Sequence, residues 1–138
     1  MSQMATRFSL KEYRAAPPLA RAKAVARGFP AKALRDLVAD RTVTLADVAK
    51  VVGPRRTLQR RLAGNERLTL DESDRLARLI AAVDLATATF GDRKTAMEWM
   101  SKPKRRLEGS RPLDLLKTDA GTRLVEEILE QARHGFAA

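Results

Sequence analysis

The stretch from Thr44 to Leu62, TLADVAKVVGPRRTLQRRL, constrains the fold of this chain more than any other. Thr44 and Asp47 form a capping box: the threonine hydroxyl accepts from the N3 amide while the carboxylate reaches back, so a helix begins here. Leu45, Val48, Ala49 and Val52 then recur at i, i+3, i+4 and i+7, which gives one apolar face. Gly53 suits the left-handed conformation that ends a helix, and Pro54 suits the first turn of the next one, where a missing N–H costs nothing. The spacing predicts two short helices joined by a tight turn, a helix-turn-helix.

The second helix has two different sides. At ~100° per residue, Arg55, Arg56, Gln59 and Arg60 share an arc of roughly 140°, and Leu58 and Leu62 point the opposite way. A charge run is most often a solvated face. Here no acidic residue lies between Pro54 and Ala63, a glutamine sits among the arginines, and a capped helix precedes at turn spacing. These features favour contact with DNA. Arginine fits guanine O6/N7 and glutamine fits adenine N6/N7 in a bidentate manner, so Arg55, Arg56, Gln59 and Arg60 are the candidates for base edges or phosphates. Thr57 and Arg61 lie off that face and are expected at phosphates or in solvent. Thr44 caps its helix, whose amide end suits a phosphate.

The chain of 138 residues carries a net charge of +10, which points to a polyanionic partner, nucleic acid before an anionic membrane. No apolar run approaches the ~20 residues of a membrane span, and the N-terminus lacks the layout of a signal peptide, so a cytoplasmic location is expected. Cysteine is absent and His134 is the only histidine, which leaves no disulfide framework and no zinc cluster. Neither a metal nor a cofactor is implied. Asp71, Glu72 and Asp74 cluster where a helix starts, but a helix dipole favours acids there. With no nucleophile beside a base and no phosphate loop, an enzyme is not expected.

In chain order, residues 1–29 read as a basic N-terminal arm: 1–16 lack a sustained period and are expected to be mobile, and Leu19 to Arg27 forms a short Ala-rich helix bearing Arg21, Lys23 and Arg27. Residues 30–90 form the DNA-binding unit. It starts with a helix at Pro30 whose Ala33, Leu34, Leu37 and Val38 repeat at helical spacing up to Asp40. After the helix-turn-helix, Thr69 and Glu72 make a second capping box and open a long helix with an apolar stripe of Leu76, Leu79, Ile80, Val83 and Ala86. Gly91 stops it. The boundary between two lobes falls in this helix or at Gly91, so they are joined rigidly. Residues 91–138 form the second lobe: a helix capped by Asp92 with Ala96, Trp99 and Met100 on one side, a basic connection from Lys104 to Arg111, one helical turn from Pro112 with Leu113, Leu115 and Leu116, and a last helix. That last helix carries Leu124, Val125, Ile128, Leu129 and Ala132, and His134 is expected at its end. Nothing alternates with period two, so the fold class is all-α.

From about Val43 to Gly135 the sequence resembles the Xre/MbcA/ParS family of antitoxins. The first part of the match is TLQRRL followed by LTLDESDRLARL, and the second is FGDRKTAMEWMSKP, then LEGSRPLDLLKTDAGTRLVEEIL and Gly135. The series Trp99, Pro103, Leu107, Gly109, Pro112, Leu115, Leu116, Thr118, Gly121, Val125 and Leu129 is the more specific part. The resemblance implies a type II antitoxin whose first lobe binds the operator DNA of its own operon and whose second lobe blocks a RES-domain toxin that consumes NAD. The NAD chemistry would then belong to the partner.

The toxin-facing residues implied are Trp99, Arg105, Arg106, Arg111, Leu113 and Leu116. Each also has a plainer role. Trp99 at helical spacing with Ala96 and Met100 is more often core, its indole N–H placing it at the edge of a buried surface. The leucines either close the small lobe or form an exposed partner patch, and the basic loop is solvated or approaches an anionic cleft of the toxin. A homodimer is expected, because two helix-turn-helix units one DNA turn apart match a palindromic site. The rival reading is a helical interaction adaptor whose helix-turn-helix serves dimerisation.

Overall fold

A side-chain cap opens most helices of the structure, a computed structural model that describes residues 8–39 and 41–135. Ser9 accepts from the Glu12 amide, Thr44 from Asp47, Thr69 from Glu72, Asp92 from Thr95 and Thr118 from Gly121. Each such cap contributes about 1 kcal/mol and sets where its helix begins. The elements are α1 (Leu10–Ala15), α2 (Pro18–Arg27), α3 (Ala31–Val38), α4 (Leu45–Val51), α5 (Arg55–Gly64), α6 (Leu70–Phe90), α7 (Arg93–Met100) and α8 (Asp119–Arg133), with 3₁₀ turns at Arg105–Leu107 and Pro112–Lys117. The fold is all-α, with no strand among the described residues. No helix among them is long and apolar enough to cross a membrane.

The long helix α6 is the axis of the molecule. Its first turn carries the full capping box between Thr69 and Glu72, and its stripe of Leu76, Leu79, Ile80, Val83 and Ala86 is buried along its length. Leu34 and Leu37 of α3, Val48 of α4 and Leu58 of α5 belong to the same core cluster. So do Ala96 and Met100 of α7 and Val125 and Leu129 of α8. One core therefore serves both lobes, and α6 carries the chain between them without a linker. Gly91, at φ +96°, ends α6 where a side chain would be strained.

The N-terminal arm departs from expectation. Its first seven residues lie outside the described residues, but from Phe8 onward the chain packs against Phe29, α3 and α6 in place of the mobile arm expected. Leu10 of α1 is buried, and its amide donates to Asp36 at 3.2 Å. Tyr13 and Phe8 meet the buried Phe29 edge-on, with ring centroids 5.0 and 5.7 Å away, and Arg14 pairs with Asp84 of α6 at 3.0 Å. The anchors lie far away in sequence, which is why local periodicity missed them. Ser9 and Glu12 do stand at capping-box spacing, the one local signal for α1.

Three smaller expectations are also corrected. Gly53 does not adopt the left-handed region, and Val52, still right-handed, closes α4. The Thr44 cap makes only its threonine half, because the Asp47 side chain turns toward Arg111, 3.9 Å away. Leu124 is 42% exposed rather than part of the core, its place inside being filled by Thr122 and Val125. Helix α3 ends at Val38, and Asp40 lies outside the described residues.

Candidate functional site

Helix α5 is held by its apolar side and leaves the other in solvent. Leu58 is fully buried, while Arg55, Arg56, Gln59 and Arg60 are all exposed. Among the described residues Arg55 and Arg56 have no carboxylate partner, and Arg60 has only a loose surface contact with Glu66 at 3.6 Å. Pro54 opens the helix without a side-chain cap, which leaves its first amide donors without that partner. The result is an exposed cationic face on a helix whose back is locked into a core. Thr57 is half-buried beside that face, and Thr44 is exposed at the start of α4.

Arg61 does not join the face. Its Nε and Nη2 donate to both carboxylate oxygens of Glu72 at 3.1 and 3.2 Å, and its Nη1 donates to Glu66 at 2.9 Å. Glu72 in turn accepts from the Thr69 amide at 2.9 Å. Burial works to raise the Glu72 carboxyl, but the Arg61 and Thr69 hydrogen bonds outweigh it and hold the group below the usual carboxylate range. A fork geometry matched on both oxygens is the strong form of an arginine–carboxylate pair. Arg61 thus ties the end of α5 to the start of α6, and the expectation of a phosphate or solvent role for it is corrected: each of its three nitrogens already donates to Glu66 or Glu72. Glu66 lies in the turn after α5 and Glu72 in the first turn of α6, both outside the acid-free run that marks α5 in the sequence.

In the second lobe the structure separates the candidates. Leu113 and Leu116 are fully buried and close the core between α4, α6 and α8, so they do not form a contact patch. Their 3₁₀ turn points them inward because its apolar pair has nowhere else to bury. Arg111 is likewise engaged: it grips Asp114 through Nε and Nη2 at 2.9 and 2.8 Å and reaches Asp47 of α4 at 3.9 Å. The Arg111 guanidinium holds the Asp114 carboxyl below its ordinary value despite partial burial. Arg111 is therefore a tie between the lobes rather than a free cation.

Arg105 and Arg106 remain exposed at the 3₁₀ turn, and Trp99 is half-buried. Trp99 lies against Phe90, centroids 5.5 Å apart, and the Lys104 ammonium sits 5.0 Å from its ring. Burial, and secondarily the charge of Lys102, pull the Lys104 ammonium below its ordinary value. Together with Leu107, Ile128 and Ala132 these residues border a cleft of about 120 Å³. The sequence placed Trp99 at a buried edge but did not connect it with α8, whose Ile128 and Ala132 line the same cleft. His134 caps the end of α8, exposed, as expected of a helix-end residue.

Comparison with known proteins agrees with this two-part layout. A family model described as the antitoxin Xre-like helix-turn-helix domain matches residues 20–81, and one described as the antitoxin Xre/MbcA/ParS C-terminal toxin-binding domain matches residues 85–135. Antitoxin Xre of Pseudomonas putida is 39% identical over 109 residues, covering 79% of this chain and 68% of that protein. Antitoxin Xre of Yersinia enterocolitica is 34% identical over 68% of this chain and 65% of its own length, and that of Photorhabdus laumondii is 33% identical over 67% and 64%. The chain thus spans about two thirds of the length of each of these curated relatives. With a helix-turn-helix lobe and a toxin-binding lobe matched in order, and a relative 39% identical over most of its length, the chain belongs to the Xre family of antitoxins.

Proposed function

We propose that this chain is the antitoxin of a type II toxin–antitoxin pair, which binds the operator of its own operon through α5 and neutralises a RES-domain, NAD-consuming toxin through residues 91–138. The observation that carries the DNA half is the α5 face: Arg55 and Arg56 project from a locked helix with no carboxylate partner among the described residues. Cations left unpaired beside a glutamine are suited to phosphates and base edges. The toxin half rests on the toxin-binding domain match and on the sequence resemblance. In this reading the protein has no catalytic role and needs no cofactor, and it acts in the cytoplasm as a homodimer so that two α5 helices address successive major grooves.

The test is a titration of operator binding against salt. Arg56→Ala lowers affinity by about 1–3 kcal/mol and reduces the slope of log K against log salt by about 0.9, the contribution of one phosphate contact or its near equivalent. Arg55→Ala behaves in the same direction. If both variants bind operator as the wild type does, with the same salt slope, the interface is not on this face. For the toxin half, co-expression of this chain with a RES-domain toxin restores growth and preserves cellular NAD. Persistent NAD loss in the presence of this chain would remove that half.

A further inference from the structure

We propose that the cleft between α7 and α8 is the socket in which the toxin seats one apolar side chain, with an adjacent carboxylate of the toxin drawn to Lys104 and Arg106. The proposal rests on the toxin-binding reading above and names the surface and the chemistry of its occupant. Five of its lining residues are apolar: Phe90 and Trp99, whose rings meet, Leu107, Ile128 and Ala132. Its volume, about 120 Å³, is that of a single large side chain rather than of a cofactor.

The rim carries the charge. Lys104 and Arg106 both border the cleft, and no carboxylate among the described residues does. Lys104 is held over the Trp99 ring and is partly stripped of water, so an arriving carboxylate gains a strong partner without first ordering a mobile lysine. The apolar surface also continues out of the cleft. Leu124, one of three large apolar side chains left exposed among the described residues, stands one turn before Ile128 on α8, and Gln131 completes the same face at i+7. A half-buried tryptophan beside an aliphatic pocket, ringed by cations, is the composition of a binding hot spot.

This arrangement is tested by binding of the full chain to the RES-domain toxin that it is proposed to neutralise, measured calorimetrically. Ala132→Phe fills the cleft from its edge and weakens binding by tenfold or more, with helicity and melting temperature retained. Lys104→Glu, on the rim and dispensable for the core, weakens binding about tenfold and lessens its salt dependence. Arg123→Glu changes net charge by the same amount at a residue of α8 that does not line the cleft and that pairs with Asp119, and leaves binding unchanged. Wild-type affinity in both Ala132→Phe and Lys104→Glu overturns the socket while the toxin reading stands. Equal losses in Lys104→Glu and Arg123→Glu overturn it too, because net charge alone would then explain them. Should the wild-type chain itself fail to bind the RES-domain protein, the toxin reading falls and the socket with it.

Discussion

Replacing Gly121 with alanine unfolds this protein at a temperature on the order of 10 °C lower, at a cost of about 3 kcal/mol. The usual expectation runs the other way, since alanine is favoured over glycine in a helix by about 1 kcal/mol. Contact decides the sign. A Cβ on Gly121 would stand 2.0 Å from the Leu115 carbonyl oxygen and 2.9 Å from its carbon, and backbone cannot rotate aside as a side chain can. To make room, α8 must part from the Pro112–Lys117 turn. That turn carries the fully buried Leu113 and Leu116, and Gly121 also donates to the Thr118 cap at 2.9 Å. Gly53→Ala is the control: nothing lies within 4 Å of its added methyl, so stability stays within about 0.5 kcal/mol of wild type. Thermal melts of the two variants decide the matter, and a Gly121→Ala protein as stable as wild type would mean that α8 does not sit on Leu115 as described.

The same residue shows where sequence reading reaches and where it stops. Gly121 was recognisable in the sequence as part of a family pattern, but its reason, close approach to a carbonyl six residues earlier, needs the fold. Helix starts were legible because their signals are local: Thr44, Thr69, Asp92 and Thr118 each accept from an amide three residues on. The α6 stripe was legible for a similar reason, as its period is a property of the helix alone. By contrast α1 is ordered by Phe29, Asp36 and Asp84, none of them near it in sequence.

For the candidate site, side-chain type was readable but pairing was not. Arg55, Arg56 and Arg61 are the same residue on one short helix, yet the first two are free and the third is clamped. What separates them is position along the helix: Arg55 and Arg56 open it, whereas Arg61 lies in its last turn, beside the turn that follows α5. Glu66 and Glu72 are carried back beneath the helix by that turn, on the side of Arg61. Arg111 shares this fate, taken by Asp114 and drawn toward Asp47. A basic count therefore overstates the free cationic surface.

Breaking the Arg61 clamp should weaken DNA binding without removing a DNA contact. Arg61→Ala leaves the Glu72 carboxylate, 12% exposed, without its main partner, and a cost of about 2–3 kcal/mol follows, between that of an exposed and of a fully buried pair. The end of α5 is then free to tilt, and operator affinity falls, but the salt slope keeps its wild-type value because no phosphate contact is lost. Arg56→Ala, by contrast, lowers the slope. The pH dependence supplies an independent sign. Glu72 has its folded pKa depressed, so its stabilisation is complete above the ordinary glutamate value of about 4.3 and is lost as pH falls through the folded value, the unfolded chain taking up the proton first. Glu72→Gln removes that share of the acid sensitivity, and its stability curve below about pH 4.3 is flatter than the wild type's. Parallel curves for the two proteins would show that the clamp adds nothing to the folded state, and a salt slope reduced in Arg61→Ala would place Arg61 on a phosphate instead of on Glu72.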